Sequence, residues 1–416
     1  MARICRISET GNGNLRRNSK AMAILVFNCG SSSIKYQLFD MKDNPQSLAK
    51  GIVGRIGSEG AYICHSTNVK KEKKLEKHFS DYRSALQTIF EILKDDKSEV
   101  LKQIGAVGHR VVHGGSKFVQ PVLVDDNVLD AIKENVVFAP LHNPANIAGI
   151  EISRELLPQI PNIAVFDTAL HQTLPSKAYL YGLPIELYQK RNIRKFGFQG
   201  ISHEYVAKEA AKLVNKPLET LKIITCHLGN GSSVTAFENG KSIDTSMGLT
   251  PLEGLVMATR CGDIDAGVVL HLMDKTGLSI EQAKELLNKK SGFIGLCGQS
   301  DMRDIIKSAE NGNKKAQIAI EVFVYRIQKY IGAYVAALNG VDVIVFTAGI
   351  GENCSLIRQK ILANFQYLGL KIDDAKNDKN QTVFSTDNSD IYSMTIPTNE
   401  ELEIAQQTYQ IVADKF

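Results

Sequence analysis

The 416-residue chain has no tryptophan, no C-x-x-C pair and almost no net charge beyond its first twenty positions. Each absence excludes something. With no tryptophan and aromatic residues at 7%, flat stacking platforms are few. The seven cysteines, Cys5, Cys29, Cys64, Cys226, Cys261, Cys297 and Cys354, are odd in number and scattered. They outline neither a zinc site nor a disulfide framework, and single thiols of this kind suit a reducing cytoplasm. The net charge is +4, and Arg3, Arg6, Arg16, Arg17 and Lys20 against Glu9 supply all of it. The near-neutral body argues against a nucleic-acid partner. No apolar stretch approaches the roughly 18 residues of a membrane helix, so no segment reads as spanning a membrane. H-x-x-x-H occurs once, at His109 and His113, a thin basis for a metal site. What remains is an ordinary folded composition, 44% hydrophobic and 23% charged, long enough for two or three domains around a large core.

Residues 1–20 are polar, basic and without periodicity, and read as a disordered tail. Arg16-Arg17 before the apolar run 21–27 imitates a secretory signal. The run is short, no small-residue cleavage site follows, and Gly30-Ser31-Ser32-Ser33 comes at once. The expectation is a strand from Met22 or Ala23, with Met22 a candidate start and the tail a leader from an upstream initiation codon. Three β-branched runs then end in Gly-rich polar turns: 24–27 before Asn28 to Ser33, 223–226 before His227 to Ser233, and 343–346 before Thr347 to Asn353. The first two continue into alternating segments at 34–39 and 234–237 and read as hairpins. Two such hairpins about two hundred residues apart suggest a duplicated domain.

Helical spacing follows Ser80, Asn143-Pro144 reads as a cap opening a helix to about Leu157, and Ser279 with Gln282 reads as a capping box. Lys314 to Leu338 is apolar nearly all round and reads as a central buried helix closing at Gly340. Strands alternating with helices make this an α/β chain.

Gly and Ser after a buried strand expose backbone N–H groups and hydroxyls, as phosphate oxygens require. The chain lacks both G-x-x-x-x-G-K-[ST] and a G-x-G-x-x-G after a strand, which excludes a P-loop and weakens a dinucleotide site. Polar clusters stand beside these turns. Arg110 lies between His109 and His113, Asp167 follows the apolar 163–165, Arg260 precedes Gly262, and Glu400 and Glu401 precede a last helical run. A carboxylate at a strand end is well placed for Mg²⁺. Each has a structural alternative: Asp167 as a helix cap, the two glutamates as favourable charges at a helix start.

Together the strings resemble the acetate/propionate kinase family. They are NCGSSSIK at 28–35, HRVVHGG at 109–115, FDTALHQTLP at 166–175, FGFQGISH at 196–203 and HLGNGSS at 227–233. DTSMGLTPLEGLVMATRCGDID at 244–265, SDMRDI at 300–305, FTAGIGEN at 346–353 and PTNEELEIA at 397–405 complete the series. The resemblance implies transfer of the ATP γ-phosphate to a short carboxylate such as acetate, with Mg²⁺ or Mn²⁺, giving an acyl phosphate and ADP. It implies a duplicated actin-like (ASKHA, ribonuclease H-like) fold and a cytoplasmic homodimer. One domain would span 22–168, completed by a C-terminal helix at 405–416, and the nucleotide-binding domain 169–404, with the site between them.

Residue by residue, the resemblance places Asn28, Ser31, Ser33 and Lys35 in a first phosphate loop. His227, Leu228, Gly229, Asn230 and Gly231 form the second. Asp301, Arg303, Gly349, Ile350, Gly351 and Asn353 become nucleotide contacts. Arg110 and Arg260 clamp carboxylate and phosphoryl group, Asp167 and Glu400 with Asn28 position the metal, and His203 and His227 match family histidines. Val112, Leu141, Phe198 and Pro251 would form the acyl pocket. One position departs: the family string F-H-G reads Phe198-Gln199-Gly200 here, so a titratable donor is replaced by a neutral amide. A working but slower kinase is the expectation; the same fold acting on propionate or butyrate, or a catalytically weak nucleotide-binding module, are the alternatives.

Overall fold

The computed structural model describes residues 22–30, 32–42, 44–67, 73–95, 103–140 and 142–413. The N-terminal tail, Ser31 and Leu141 lie outside the described residues. Thirteen strands are described: β1 Ala23–Cys29, β2 Ser33–Asp40, β3 Gln46–Gly54, β4 Tyr62–Thr67, β5 Lys73–Glu76, β6 Ile104–Val111, β7 Val122–Leu123, β8 Asn162–Phe166, β9 Ile223–Leu228, β10 Ser232–Glu238, β11 Lys241–Thr245, β12 Val343–Thr347 and β13 Tyr392–Thr395. They form two sheets, ordered β5-β4-β3-β2-β1-β6-β8-β7 and β11-β10-β9-β12-β13.

The same five-strand unit occurs twice. In the first sheet β3, β2 and β1 are antiparallel neighbours, and β6 and β8 follow parallel to β1. In the second, β11, β10 and β9 take the antiparallel places, with β12 and β13 parallel to β9. This repeat of topology gives the duplicated α/β, actin-like arrangement that the two sequence hairpins suggested. The middle strands carry continuous apolar runs because helices cover both their faces. Successive side chains of β1 point opposite ways, so Leu25 and Phe27 join a core with Leu86, Ile89 and Ile152, whereas Ile24 and Val26 join one with Ile404 and Val412. In the second sheet Ile224 and Phe346 pack toward the long helix Lys314–Leu338, and Ile223 and Val345 toward the helix Gly200–Leu213.

Local signals held in part. The Ser279/Gln282 capping box is present, with each side chain bonded to the other's backbone. The helix Asn143–Leu156 is capped one residue earlier than expected, at His142. Asn143 is drawn inward instead, its amide donating to the His113 carbonyl and its oxygen accepting from the His113 N–H. The helix Lys314–Leu338 is not buried all round: Ile318 is 50% and Tyr325 60% exposed on its outer flank. The last helix runs Glu400–Ala413. Asn399 caps it, accepting from the Leu402 N–H at 3.1 Å, so the acids expected before the helix sit in its first turn. This helix begins beside the second sheet and packs on β1, β6 and β8 of the first. Among the described residues no helix is long and apolar enough to cross a membrane.

Burial also fixes the histidines. It pushes His109, His113, His142, His171 and His227 down to about 4, and His203 well below its ordinary value. These groups fold neutral, while in the unfolded chain they titrate near 6.5. Between those values the unfolded state binds more protons, so stability rises with pH and falls on acidification. The melting temperature should therefore drop steeply as pH is lowered from about 6.5 toward about 5, a trend that a pH series of thermal melts reads directly; a flat profile would contradict neutral burial of the set.

Candidate active site

The ends of β1, β6 and β8 bring three side chains together. Arg110, near the end of β6, forms a fork on Asp167, just beyond β8: Nε donates to Oδ1 at 3.1 Å and Nη2 to Oδ2 at 2.6 Å. Its Nη1 donates to Asn28 Oδ1, near the end of β1, at 3.2 Å. Glu400 approaches Arg110 Nε at 3.8 Å from the first turn of the last helix. Asp167 is 1% exposed and is an ion-pair partner, not a helix cap. Burial raises its carboxyl above the ordinary range, opposed by Arg110 and reinforced by Glu400. For Arg110 burial opposes the charge, but Asp167 and Glu400 outweigh it and hold the guanidinium above its usual value. Burial would likewise raise Glu400, yet the charges of Arg110 and Lys35 hold it low. Lys35 stands opposite Asn28 in the β1–β2 register, and the Ser33 carbonyl closes the intervening turn on the Gly30 N–H at 2.8 Å.

The second sheet supplies the facing wall. His203 is fully buried, with Nδ1 2.6 Å from the Thr225 hydroxyl and Nε2 2.6 Å from that of Ser233. Ser233 Oγ donates to Gln199 Oε1 at 2.5 Å. Because Ser233 gives its proton to the amide oxygen, it accepts from His203 Nε2–H, and His203 Nδ1 accepts from Thr225. His203 thus orients its neighbours and is closed off from a ligand. The chain fixes the Gln199 amide, whose Nε2 faces the turn at Gly231 together with Arg260 Nη1: a Cβ at Gly231 would lie 3.5 and 3.6 Å from them. His227 leads into the Gly229-Asn230-Gly231 turn, and its Nδ1 is 2.8 Å from Ser202 Oγ.

Arg260 has no carboxylate within ion-pair distance among the described residues; its Nη1 donates to the Pro251 carbonyl at 3.2 Å and approaches Met257 Sδ at 3.8 Å. Burial lowers its guanidinium. Beside it Val112, Phe198, Ala139, Met247 and Met257 form one apolar cluster. Of the four expected pocket residues, Val112 and Phe198 lie in this cluster, Pro251 touches it through Arg260, and Leu141 is outside the described residues. The loop carrying Arg260 is braced by Tyr181 on Glu253 at 2.5 Å and by Tyr330 on Asp263 at 2.7 Å.

The expected nucleotide residues do not all converge. Asp301 caps the helix Met302–Glu310 and is forked by Arg303, whose side chain is 89% exposed. Gly349, Ile350, Gly351 and Asn353 lie in the short helix Ala348–Asn353 after β12, where Asn353 Nδ2 donates to the Gly349 carbonyl at 2.9 Å. A Cβ at Gly349 would meet nothing within 4 Å, so this turn faces open space.

The sequence profile of the acetokinase family matches residues 23–406. The chain belongs to the acetokinase family. It is 52% identical over 392 residues to a Natranaerobius thermophilus protein named acetate kinase, covering 93% of this chain and 98% of that one. It is 51% identical over 400 residues to a Dictyoglomus thermophilum acetate kinase, covering 95% of this chain and 100% of its relative. Among solved structures it is similar to Porphyromonas gingivalis acetate kinase, with a TM-score of 0.88 at 42% identity over 94% of this chain and 100% of that one. A propionate kinase from Francisella tularensis subsp. tularensis gives a TM-score of 0.88 at 43% identity, over 94% of this chain and 99% of that one.

Several residues of this acetokinase-family site escaped the sequence reading. His142, in the His-Asn-Pro string, lies near both arginines: after burial, the charges of Arg110 and Arg260 lower it. Nothing in the sequence around Ala139, Met247 and Met257 marks a pocket wall. Gln199 itself takes a left-handed backbone, φ 59°, ahead of the helix Gly200–Leu213. A histidine there would meet the Ser233 hydroxyl that Gln199 Oε1 now receives. Replacing Gln199 with His should raise kcat by roughly tenfold if a charge-assisted donor is missing. Steady-state kinetics of Gln199→His with unchanged kcat would show the fixed amide to be an adequate donor.

Proposed function

We propose that the chain is an acetate kinase, moving the ATP γ-phosphoryl group to acetate to give acetyl phosphate and ADP, reversibly and by direct in-line transfer. The observation that carries this is Arg260, a partly buried cation with no acid partner among the described residues, set against a small apolar cluster. A short carboxylate matches both: its oxygens face the guanidinium and its methyl faces Val112, Phe198 and Met257. Arg110 is largely committed to Asp167 and Asn28, leaving two of its five N–H groups for the substrate.

A carboxylate is ionised at neutral pH, so no general base is needed. An acetate oxygen attacks the γ-phosphorus as the β–γ bridging P–O bond breaks, and the electron pair leaves on ADP. The charge that spreads over the equatorial oxygens is met by Arg260, the remaining Arg110 donors and the Gln199 amide. Backbone N–H groups of the turns at Gly229 to Gly231 and Gly349 to Gly351 hold the nucleotide phosphates and nucleoside. Asp301 and Arg303 reach the nucleoside only by releasing each other.

Mg²⁺ suits the donor set, with Mn²⁺ as the alternative. Oxygens of Asn28, Asp167 and Glu400 surround Arg110. Among the described residues no cluster of three or more His, Cys, Asp or Glu is arranged to hold a metal ion. Mg²⁺ typically takes one or two carboxylates plus substrate phosphates. When bound, it neutralises phosphate charge.

We also propose a cytoplasmic homodimer. The helix Ala266–Thr276 has no buried residue, and Val268 and Leu270 on it are exposed near Ile264 and Ile280. A second copy would cover these exposed apolar side chains. The return of the last helix to the first sheet supports domains at 22–168, completed from about 405, and 169–404.

Acyl phosphate formed from ATP and Mg²⁺, trapped with hydroxylamine, should be greatest with acetate among acetate, propionate and butyrate; a maximum with propionate would reassign the substrate. Arg260→Ala should lose roughly ten- to a hundredfold in kcat, the worth of a charge-assisted hydrogen bond. ATP binding without product from any acid would favour the inactive nucleotide-binding alternative. Light scattering should give twice the chain mass, and Leu270→Glu should halve it.

A further inference from the structure

We infer that Glu352 is a positioning residue whose carboxylate ties the nucleotide turn after β12 to the segment at Thr398 that leads into the helix beginning at Glu400. The inference rests on the proposed reading of those two segments as nucleotide and metal contacts.

After Thr347 the chain turns through Ala348 at φ 63°, a left-handed conformation that an L residue other than glycine disfavours. Glu352, one turn on, folds back over this point. Its Oε1 accepts from the Ala348 N–H at 2.8 Å and from the Thr347 hydroxyl at 3.4 Å. The same oxygen accepts from the Thr398 N–H at 3.1 Å, two residues before Glu400. The Thr398 hydroxyl is 2.7 Å from that of Ser202, which is 2.8 Å from His227 Nδ1. His227 pairs in register with Thr347 on the neighbouring strand. One carboxylate oxygen thus closes a ring through four segments.

Two further facts give the ring a functional sense. No lysine, arginine or histidine lies within ion-pair distance of Glu352 among the described residues, so its oxygen serves backbone N–H groups of two loops and not a surface ion pair. The Ala348 methyl packs against the other Gly-rich turn, since a Cβ at Gly229 would lie 3.6 Å from it. Displacing Ala348 would therefore move both phosphate turns at once and shift them relative to Glu400.

The test is ADP binding by calorimetry on the full chain, with and without Mg²⁺, beside thermal melts and acetate kinetics. Glu352→Ala should weaken ADP binding by about tenfold in Mg²⁺, with the acetate KM within about twofold. Glu352→Gln keeps an acceptor oxygen and should stay within about twofold of the parent. Adding Ala348→Gly to Glu352→Ala should recover part of the loss, because glycine takes the left-handed turn freely. A Glu352→Ala protein with a lowered melting temperature but unchanged ADP affinity would overturn the inference, as would equal losses in the Ala and Gln variants. Should the alanine variant not fold, Ser202→Ala cuts the same ring at its hydroxyl link, and unchanged ADP affinity there would overturn it too. A parent protein that binds no ADP would instead remove the nucleotide reading beneath the inference.

Discussion

The fork between Arg110 and Asp167 organises the site. It joins the ends of two parallel strands, takes Asn28 from a third through the remaining guanidinium nitrogen, and draws Glu400 from a helix that starts beside the other sheet. A partly buried arginine beside a buried carboxylate needs such company, since an uncompensated charge there is unfavourable. Satisfying Arg110 leaves it few donors for anything else. Arg260 differs: it has no acid partner among the described residues. Two arginines that look alike in sequence thus differ in their partners: one guanidinium is largely committed to acids of the site, and the other meets only a carbonyl and a thioether.

Duplication explains how strand ends from the two halves of the chain come to share the site. Each sheet places a Gly-rich hairpin turn at the end of its first strand and parallel strands beside it. In the first sheet the strand ends carry Asn28, Arg110 and Asp167; in the second they carry His227 and the turn at Thr347. A helix that leaves the second sheet and packs on the first carries Glu400 across. The repeat of strand order, more than any one motif, accounts for the convergence of residues more than a hundred positions apart.

Much of this was legible in the sequence because its signals are local. β-branched runs, turns of Gly and Ser, and a capping box each act within a few residues, and their elements form within a residue or two of where they were read. The family strings pointed to the arginines and acids. What could not be read depends on contacts between distant segments. Asn143 looked like a cap but is held by the His113 backbone. Met247 and Met257 carry no mark that separates a pocket wall from ordinary core. The resemblance makes Asp301 and Arg303 nucleotide contacts, yet two residues apart they satisfy each other.

Gln199 puts a neutral amide where the resemblance implies a histidine. The family histidine at this position could carry a charge; an amide cannot. Yet the amide is oriented with care: Ser233 donates to its oxygen, His203 donates to Ser233, and Thr225 fixes the tautomer of His203. The amide nitrogen is thereby turned toward Arg260 and toward the Gly231 carbonyl, to which it donates at 3.4 Å. His142 and His227 are held at about 4, and His203 lower still, so all three histidines of the site are neutral at physiological pH. The fixed positive charge of the site is therefore that of its two guanidinium groups, Arg110, held above its usual value by Asp167 and Glu400, and Arg260. A neutral but well-aimed donor is consistent with that design: it loses the strength of a charged hydrogen bond but needs no proton to be present when the phosphoryl group arrives.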